Sequence, residues 1–176
     1  MGFASLGRNV RISEKASLYE IHKMHLGDNC RIDDFCVISG NISLGQNVYV
    51  GPFCLLAGGS PGIKMEDFST LAYRVTVFSQ SDDYSGESMT NPTVPSAFKL
   101  EKKEPVYIGR HCIVGAGSII FPGVTLAEGC SVGSASLVLK STEPWSIMVG
   151  SPARKLRCRK RDLLDLEKRY LSSQIQ

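Results

Sequence analysis

The chain has 176 residues, enough for one domain, with 43% apolar residues, 21% charged residues and a net charge of +3. That charge is too small to point to nucleic acid, and no apolar run approaches the roughly 18 residues of a membrane span. Seventeen glycines and only 8% aromatic residues leave few large side chains for a thick core, which favours a thin or repetitive architecture. The opening MGFASLGRNV lacks the charged and apolar blocks of a secretory signal, so the expected location is the cytoplasm. Six cysteines lie in no CxxC or CxxH pair, and reduced thiols are expected of them. Basic residues crowd into 154–161, where a local anion site is expected.

Taken in chain order, the residues repeat with a period of six. Aliphatic residues or Met fall at Leu6, Ile12 and Leu18, at Leu26, Ile32 and Ile38, and at Leu44, Val50 and Leu56. They continue at Met65, Leu71 and Val77, at Ile108, Val114 and Ile120, and at Leu126, Val132 and Val138. Four residues after each comes a small or β-branched residue, with His22 as the exception. Gly7, Gly27, Gly45, Gly51, Gly109, Gly115 and Gly133 occupy the second position, where a permissive corner backbone is expected, and Asn9, Asn29 and Asn47 suit left-handed corners. A helix needs apolar residues at intervals of three and four, and a half-buried strand at two. A beat of six with a large and a small inward residue instead suits short flat strands joined by corners, three to a triangular turn. Eighteen hexads give an all-β solenoid, a parallel β-helix of about six turns.

The register slips only after Leu18, Leu56 and Val77, each the third hexad of its turn, so all three insertions are expected at one edge of the prism. The third is a loop excursion of residues 83–107, rich in proline and polar residues, and loops of this length in a compact repeat usually carry function. Cys30, Cys36, Cys54, Cys112 and Cys130 share the small inward slot and are expected buried and inert, leaving Cys158 outside the repeat. Near the end, RKRDLLDLEKRYL places Leu163, Leu166 and Tyr170 on one stripe, so a short C-terminal α-helix is expected, covering the last turn.

The hexads together with the closing GSPARKL resemble the hexapeptide-repeat acyltransferases over nearly the whole chain. The resemblance implies a left-handed β-helix across residues 1–144 and a cap and helix across 145–176. It also implies a homotrimer with acetyl-CoA bound between subunits. IDDFCVISG, DDYSG and SIIFPGV resemble more narrowly the bacterial enzymes that N-acetylate a dTDP-linked 4-amino-4,6-dideoxyglucose for surface polysaccharides such as O-antigen. The implied function is an acetyl-CoA-dependent N-acetyltransferase with a nucleotide-sugar partner, no nucleic acid, no membrane span and no metal.

Relatives that acetylate galactosides and maltose carry a catalytic His at the sixth hexad position where the long loop leaves; here that position is Asp82. A sugar hydroxyl needs a base tuned near neutral pH, whereas an ordinary Asp titrates near 3.9. An amine needs only orientation and a route for its proton, so Asp82 favours N-acetylation over the alternative, O-acetylation of a sugar hydroxyl. Asp83 and Tyr84 are candidates to hold the sugar. The resemblance places the CoA arm beside Ala116 and Ser134, with Lys140, Arg154 and Arg157 near its phosphates. A zinc-dependent carbonic anhydrase would need three convergent histidines, and His22, His25 and His111 are widely spread, His111 in a corner slot. A silent scaffold would bind no acetyl-CoA.

Overall fold

Short strands of two to four residues coil around a triangular axis in the structure, a computed structural model that describes residues 2–174. The first face stacks Ser5–Leu6, Met24–Leu26, Ile42–Leu44, Ile63–Met65, Val106–Ile108 and Thr125–Leu126 in parallel. The second stacks Arg11–Ile12, Arg31–Ile32, Tyr49–Val50, Thr70–Leu71, Ile113–Val114, Ser131–Val132 and Ser146–Val149. The third runs from Ser17–Tyr19 through Val37–Ser39, Leu55–Ala57, Thr76–Phe78 and Ile119–Ile120 to Leu137–Val138. The result is a left-handed β-helix, an exception to right-handed crossovers. Ser146–Val149, beyond the eighteen hexads, pairs parallel with Ser131–Val132 and begins a seventh turn. Arg154–Cys158 then folds back antiparallel upon it.

The aliphatic hexad residues point inward and are buried from Leu26 through Val138, each contributing about 1.5–3 kcal/mol. Leu6 is exposed at the open first turn. The small slot is filled by Cys30, Cys36, Val48, Cys54, Ser69, Val75, Cys112, Ser118, Val124, Cys130 and Ser136, all buried. Where an insertion interrupts the count, the slot is filled from the far side: Met24, Ile63 and Val106 are buried, while His22 and Ser60 are exposed. Each inward cysteine is a free thiol donating to a carbonyl, as in Cys30 to Gly45 (3.0 Å), Cys54 to Ala72 (3.0 Å) and Cys112 to Ala127 (3.1 Å).

The corners correct one expectation. Asn9, Asn29, Asn47 and His111 do adopt left-handed φ of 54°, 59°, 56° and 58°, but the glycines at the second hexad position are not among the positive-φ residues. They are needed for close stacking instead. A Cβ on Gly27 would lie 2.6 Å from the Gly45 carbonyl carbon, and one on Gly115 would lie 2.5 Å from the Ser134 nitrogen.

All three insertions leave between the third and first faces: residues 20–23, containing a 3₁₀ turn at Ile21–Lys23, residues 58–62, and the long excursion. Val106 and Tyr107, placed at the end of the excursion by the sequence count, stand in the strand Val106–Ile108 paired with Ile63–Met65. The excursion has structure of its own. Gln80–Ser81 pairs antiparallel with Lys102–Lys103 as its stem, and Ser96–Phe98 forms a 3₁₀ turn.

Helix α1 spans Leu163–Ser173 and buries no residue. It does not cover the last turn. It lies along the corner between the first and second faces, because Glu167 bonds Arg110 and His111 there and the Tyr170 hydroxyl reaches Asn47 Oδ1 (3.4 Å) two turns lower. No described helix is long and apolar enough to cross a membrane.

Candidate active site

Asp82 follows directly on the stem strand Gln80–Ser81, at the edge where the excursion leaves the prism. It is half-buried and borders two adjoining hollows. One, of about 370 Å³, is shared with Asp83, Tyr84, Gly86, Ser88 and Thr90. The other, of about 420 Å³, adds Leu100, Glu101, Lys102 and Phe121. The Asn91 backbone N–H donates to Asp82 Oδ2 at a long 3.4 Å, leaving the carboxylate with capacity to spare. Phe121, tilted against Phe78 with ring centroids 4.8 Å apart, gives the second hollow an apolar wall.

Asp83 is committed differently. Its carboxylate accepts the Ser85 backbone N–H (2.9 Å) and the Ser85 and Ser88 hydroxyls (2.8 and 3.0 Å). These bonds, the Ser85 backbone first among them, hold its carboxyl below the usual range. Asp83 therefore folds the loop mouth, while Tyr84 is 89% exposed and open to a ligand.

The candidates for the CoA arm lie along another edge. Ala116 and Ser134 stand at the corner between the second and third faces, stacked so that the Ala135 N–H donates to the Ala116 carbonyl (2.8 Å). Arg154 tops the same corner, since the neighbouring Ala153 N–H donates to Leu137 (2.7 Å). Arg157 lies further along Arg154–Cys158 and is exposed. Lys140 stands apart, beyond Leu137–Val138 at the opposite corner of the third face. Ala116 borders a hollow of about 630 Å³ with Pro52, Phe53, Tyr73, Arg74 and Gly117.

Sequence reasoning passed over Phe53, Tyr73, Arg74 and Phe121. The signal was available for two of them, because Phe53 and Arg74 occupy the corner slot that Asn fills elsewhere. His22, His25 and His111 do not converge: His25 Nδ1 is 2.9 Å from the Ser5 hydroxyl, and His111 lies against Glu167. Among the described residues no group of three or more His, Cys, Asp or Glu could hold a metal ion.

Comparison with known proteins gives a consistent picture. The family described as bacterial transferase hexapeptide (six repeats) matches residues 23–58. A dTDP-4-amino-4,6-dideoxy-D-glucose acyltransferase of Escherichia coli is 38% identical over 99% of this chain and 92% of its own. The N-acyltransferase AntD of Bacillus cereus, solved with dTDP and 3-hydroxybutyryl-CoA, superposes with a TM-score of 0.98 at 42% identity, covering 99% of this chain and 93% of that one. A serine-to-alanine variant of AntD, solved with dTDP-4-amino-4,6-dideoxyglucose and coenzyme A, gives 0.97 at 44% identity, covering 98% and 92%.

Proposed function

The chain belongs to the hexapeptide-repeat acyltransferases, and on that premise we propose that it moves an acyl group from an acyl-CoA to the amine of a dTDP-linked amino-deoxy sugar. The acceptor that fits best is dTDP-4-amino-4,6-dideoxyglucose. One observation carries the reading: the likeness to an N-acyltransferase that holds both dTDP and CoA runs over nearly the whole of both chains. The resemblance further supports a cytoplasmic enzyme serving O-antigen or related surface-polysaccharide synthesis, with acetyl-CoA as donor.

In the reaction, the neutral amine attacks the thioester carbonyl, a C–N bond forms, and the C–S bond breaks to release CoA. The attacking nitrogen must lose a proton, and the leaving sulfur must gain one. Asp82 orients the ammonium and accepts or relays the first proton, which frees the nitrogen lone pair; the second, lost on attack, ends on the leaving sulfur. Tyr84, beside it, is positioned to touch the sugar. Asp83 acts through the loop it folds.

Asp82 and the Ala116–Ser134 edge lie on opposite sides of the third face of one subunit. A second copy that brings its loop against this edge closes the gap, which supports a homotrimer with sites between subunits. Ala116 and Ser134 line the CoA arm and Arg154 and Arg157 meet its phosphates, while Lys140, on the loop edge of the third face, joins them from the second copy.

The test is incubation with acetyl-CoA and a panel of dTDP- and UDP-linked sugars, with and without an amine, read by mass spectrometry. Acylation of amino sugars alone is expected. A mass gain confined to sugars lacking an amine would replace N-acylation by O-acylation.

A further inference from the structure

Leu163, Leu166, Glu167 and Tyr170 recur at the spacing of one helical face, and that face of α1 looks onto the second face of the coil. The two surfaces do not close. A hollow of about 330 Å³ lies between this stripe and the outward residues Phe68, Thr70 and Ile113. Leu166 consequently stays 61% exposed and Ile113 40% exposed, although each faces an apolar neighbour across the gap. The hollow belongs to the corner between the first and second faces, which is opposite the third face. A second copy seated as in the proposed trimer leaves it open.

The polar groups around the hollow are unequally occupied. Glu167 has both carboxylate oxygens taken, one by Arg110 and one by His111, and Asp67 holds Arg110 as well (3.0 Å). Arg159 is placed differently. Its Nη1 donates to the carbonyls of His111 (2.8 Å) and Gly129 (3.0 Å), which fixes the half-buried guanidinium beside the hollow. Among the described residues no carboxylate lies within 4.0 Å of it, and its Nε and Nη2 make no hydrogen bond. The half-buried Thr70 hydroxyl likewise makes none among the described residues. An immobilised cation with donors to spare thus borders a space whose other walls are aliphatic and aromatic.

We propose that this hollow is a binding site for a small, flat, apolar organic anion, whose carboxylate meets Arg159 and Thr70 and whose body lies between Ile113 and Leu166. Water alone serves the cation but leaves the apolar walls wet, and hydrocarbon alone strips the cation of its hydrogen bonds. A flat body with one carboxylate satisfies both. The guanidinium fork matches a carboxylate in geometry as well as in charge. The Phe68 ring, held parallel to His111 (centroids 5.3 Å apart, 14°) and edge-on to Tyr170 (6.1 Å, 84°), gives the ligand a rigid aromatic wall. The volume stands at the lower end of the roughly 300–1,000 Å³ of small-molecule sites. Because such a ligand touches helix and coil at once, its binding and the docking of the helix strengthen each other. The site is remote from Asp82 and independent of the transferase reading.

The experiment is a calorimetric titration of the full chain with 1-naphthoate and with its uncharged counterpart 1-naphthamide. One naphthoate should bind per chain, about tenfold more tightly than the amide, the scale of one hydrogen bond to a charged donor. Its presence should slow proteolysis near residue 160, where the chain enters the helix. Ile113→Trp fills the hollow from an exposed position and should abolish binding of both probes. Arg159→Gln, which keeps a donor for the His111 carbonyl, should bring naphthoate down to the affinity of the amide. Equal affinities in the unaltered protein, no detectable binding, unslowed proteolysis, or naphthoate binding that survives Ile113→Trp overturns the proposal. Should Arg159→Gln fail to fold, the comparison of the two probes and the Ile113→Trp variant decide it.

Discussion

His111 Nε2 lies 2.9 Å from Glu167 Oε2, and Arg110 bonds the other carboxylate oxygen, so one side chain of the terminal helix is held by two residues of a single corner. Glu167 is only 12% exposed, whereas no residue of the helix is buried. Glu167→Ala should therefore loosen the helix and cost about 1–3 kcal/mol, the price of leaving its partners unmet. Proteolysis should then cut near residue 160 without unfolding the β-helix. Unchanged protease resistance would show that the helix is held by its apolar contacts alone.

Burial, with the nearby Arg110 charge, pushes the His111 imidazole below its usual range, and as a neutral ring it donates Nε2–H to Glu167. The unfolded chain takes up a proton near pH 6.5, while the folded imidazole waits for a lower pH. Between those values the unfolded state binds more protons, so this contribution is whole above pH ~6.5 and is lost as pH falls through that value towards the folded pKa. Melting temperatures at pH 8, 6.5 and 5.5 should show the decline, and His111→Asn, which suits the left-handed corner, should flatten it. The same slope in both proteins would place the titration elsewhere.

Cys30, Cys36, Cys54, Cys112 and Cys130 are buried and Cys158 is exposed. Burial pushes the Cys30 thiol up, further from the reactive thiolate. An aromatic disulfide reagent should titrate one thiol quickly in the folded protein and six in denaturant. Two or more fast thiols would mean that the inward slot opens readily.

Gly27→Ala sets a methyl carbon 2.6 Å from the Gly45 carbonyl, and Gly115→Ala sets one 2.5 Å from the Ser134 nitrogen. Backbone on both sides leaves little room to relax, so each should cost about 1–3 kcal/mol in urea unfolding. Gly86→Ala, which meets nothing within 4 Å but carries a positive φ of 86°, separates crowding from backbone strain.

Asp82→Asn should lower kcat by about 100-fold, the low end for a positioned acid or base, because an amine keeps much of its own nucleophilicity. Arg154→Ala and Lys140→Ala should act chiefly on the KM for acyl-CoA. An Asp82→Asn enzyme with full turnover and an unaltered pH profile would remove the proton-relay role.

Periodicity carried the fold because an inward residue every six positions leaves little choice of architecture, and the same count fixed the edge from which Asp82 leaves. Counting forward failed where an insertion intervened: His22 and Ser60 fell outside, since the slot is closed by the residue that opens the next strand, Met24 or Ile63. The helix was legible as a helix, but its seat depends on Glu167 meeting Arg110 some 57 positions away, which no local pattern encodes. Ala116 and Ser134 could be placed on one corner from their registers. The hollow beside them could not, because its walls come from three successive turns and its shape from where side chains stop.

All three interruptions of the coil share one edge, and this bears on how such a molecule can change through descent. A segment added or trimmed between the third and first faces breaks no rung of the three ladders, and lengthening a surface loop adds only slowly to its closure entropy. Novelty can therefore accumulate on that edge while the other two corners stay as they were inherited. On the proposed function, the side chains that meet the acceptor can be rewritten by exchanging a single loop, and those along the donor's corner only one substitution at a time.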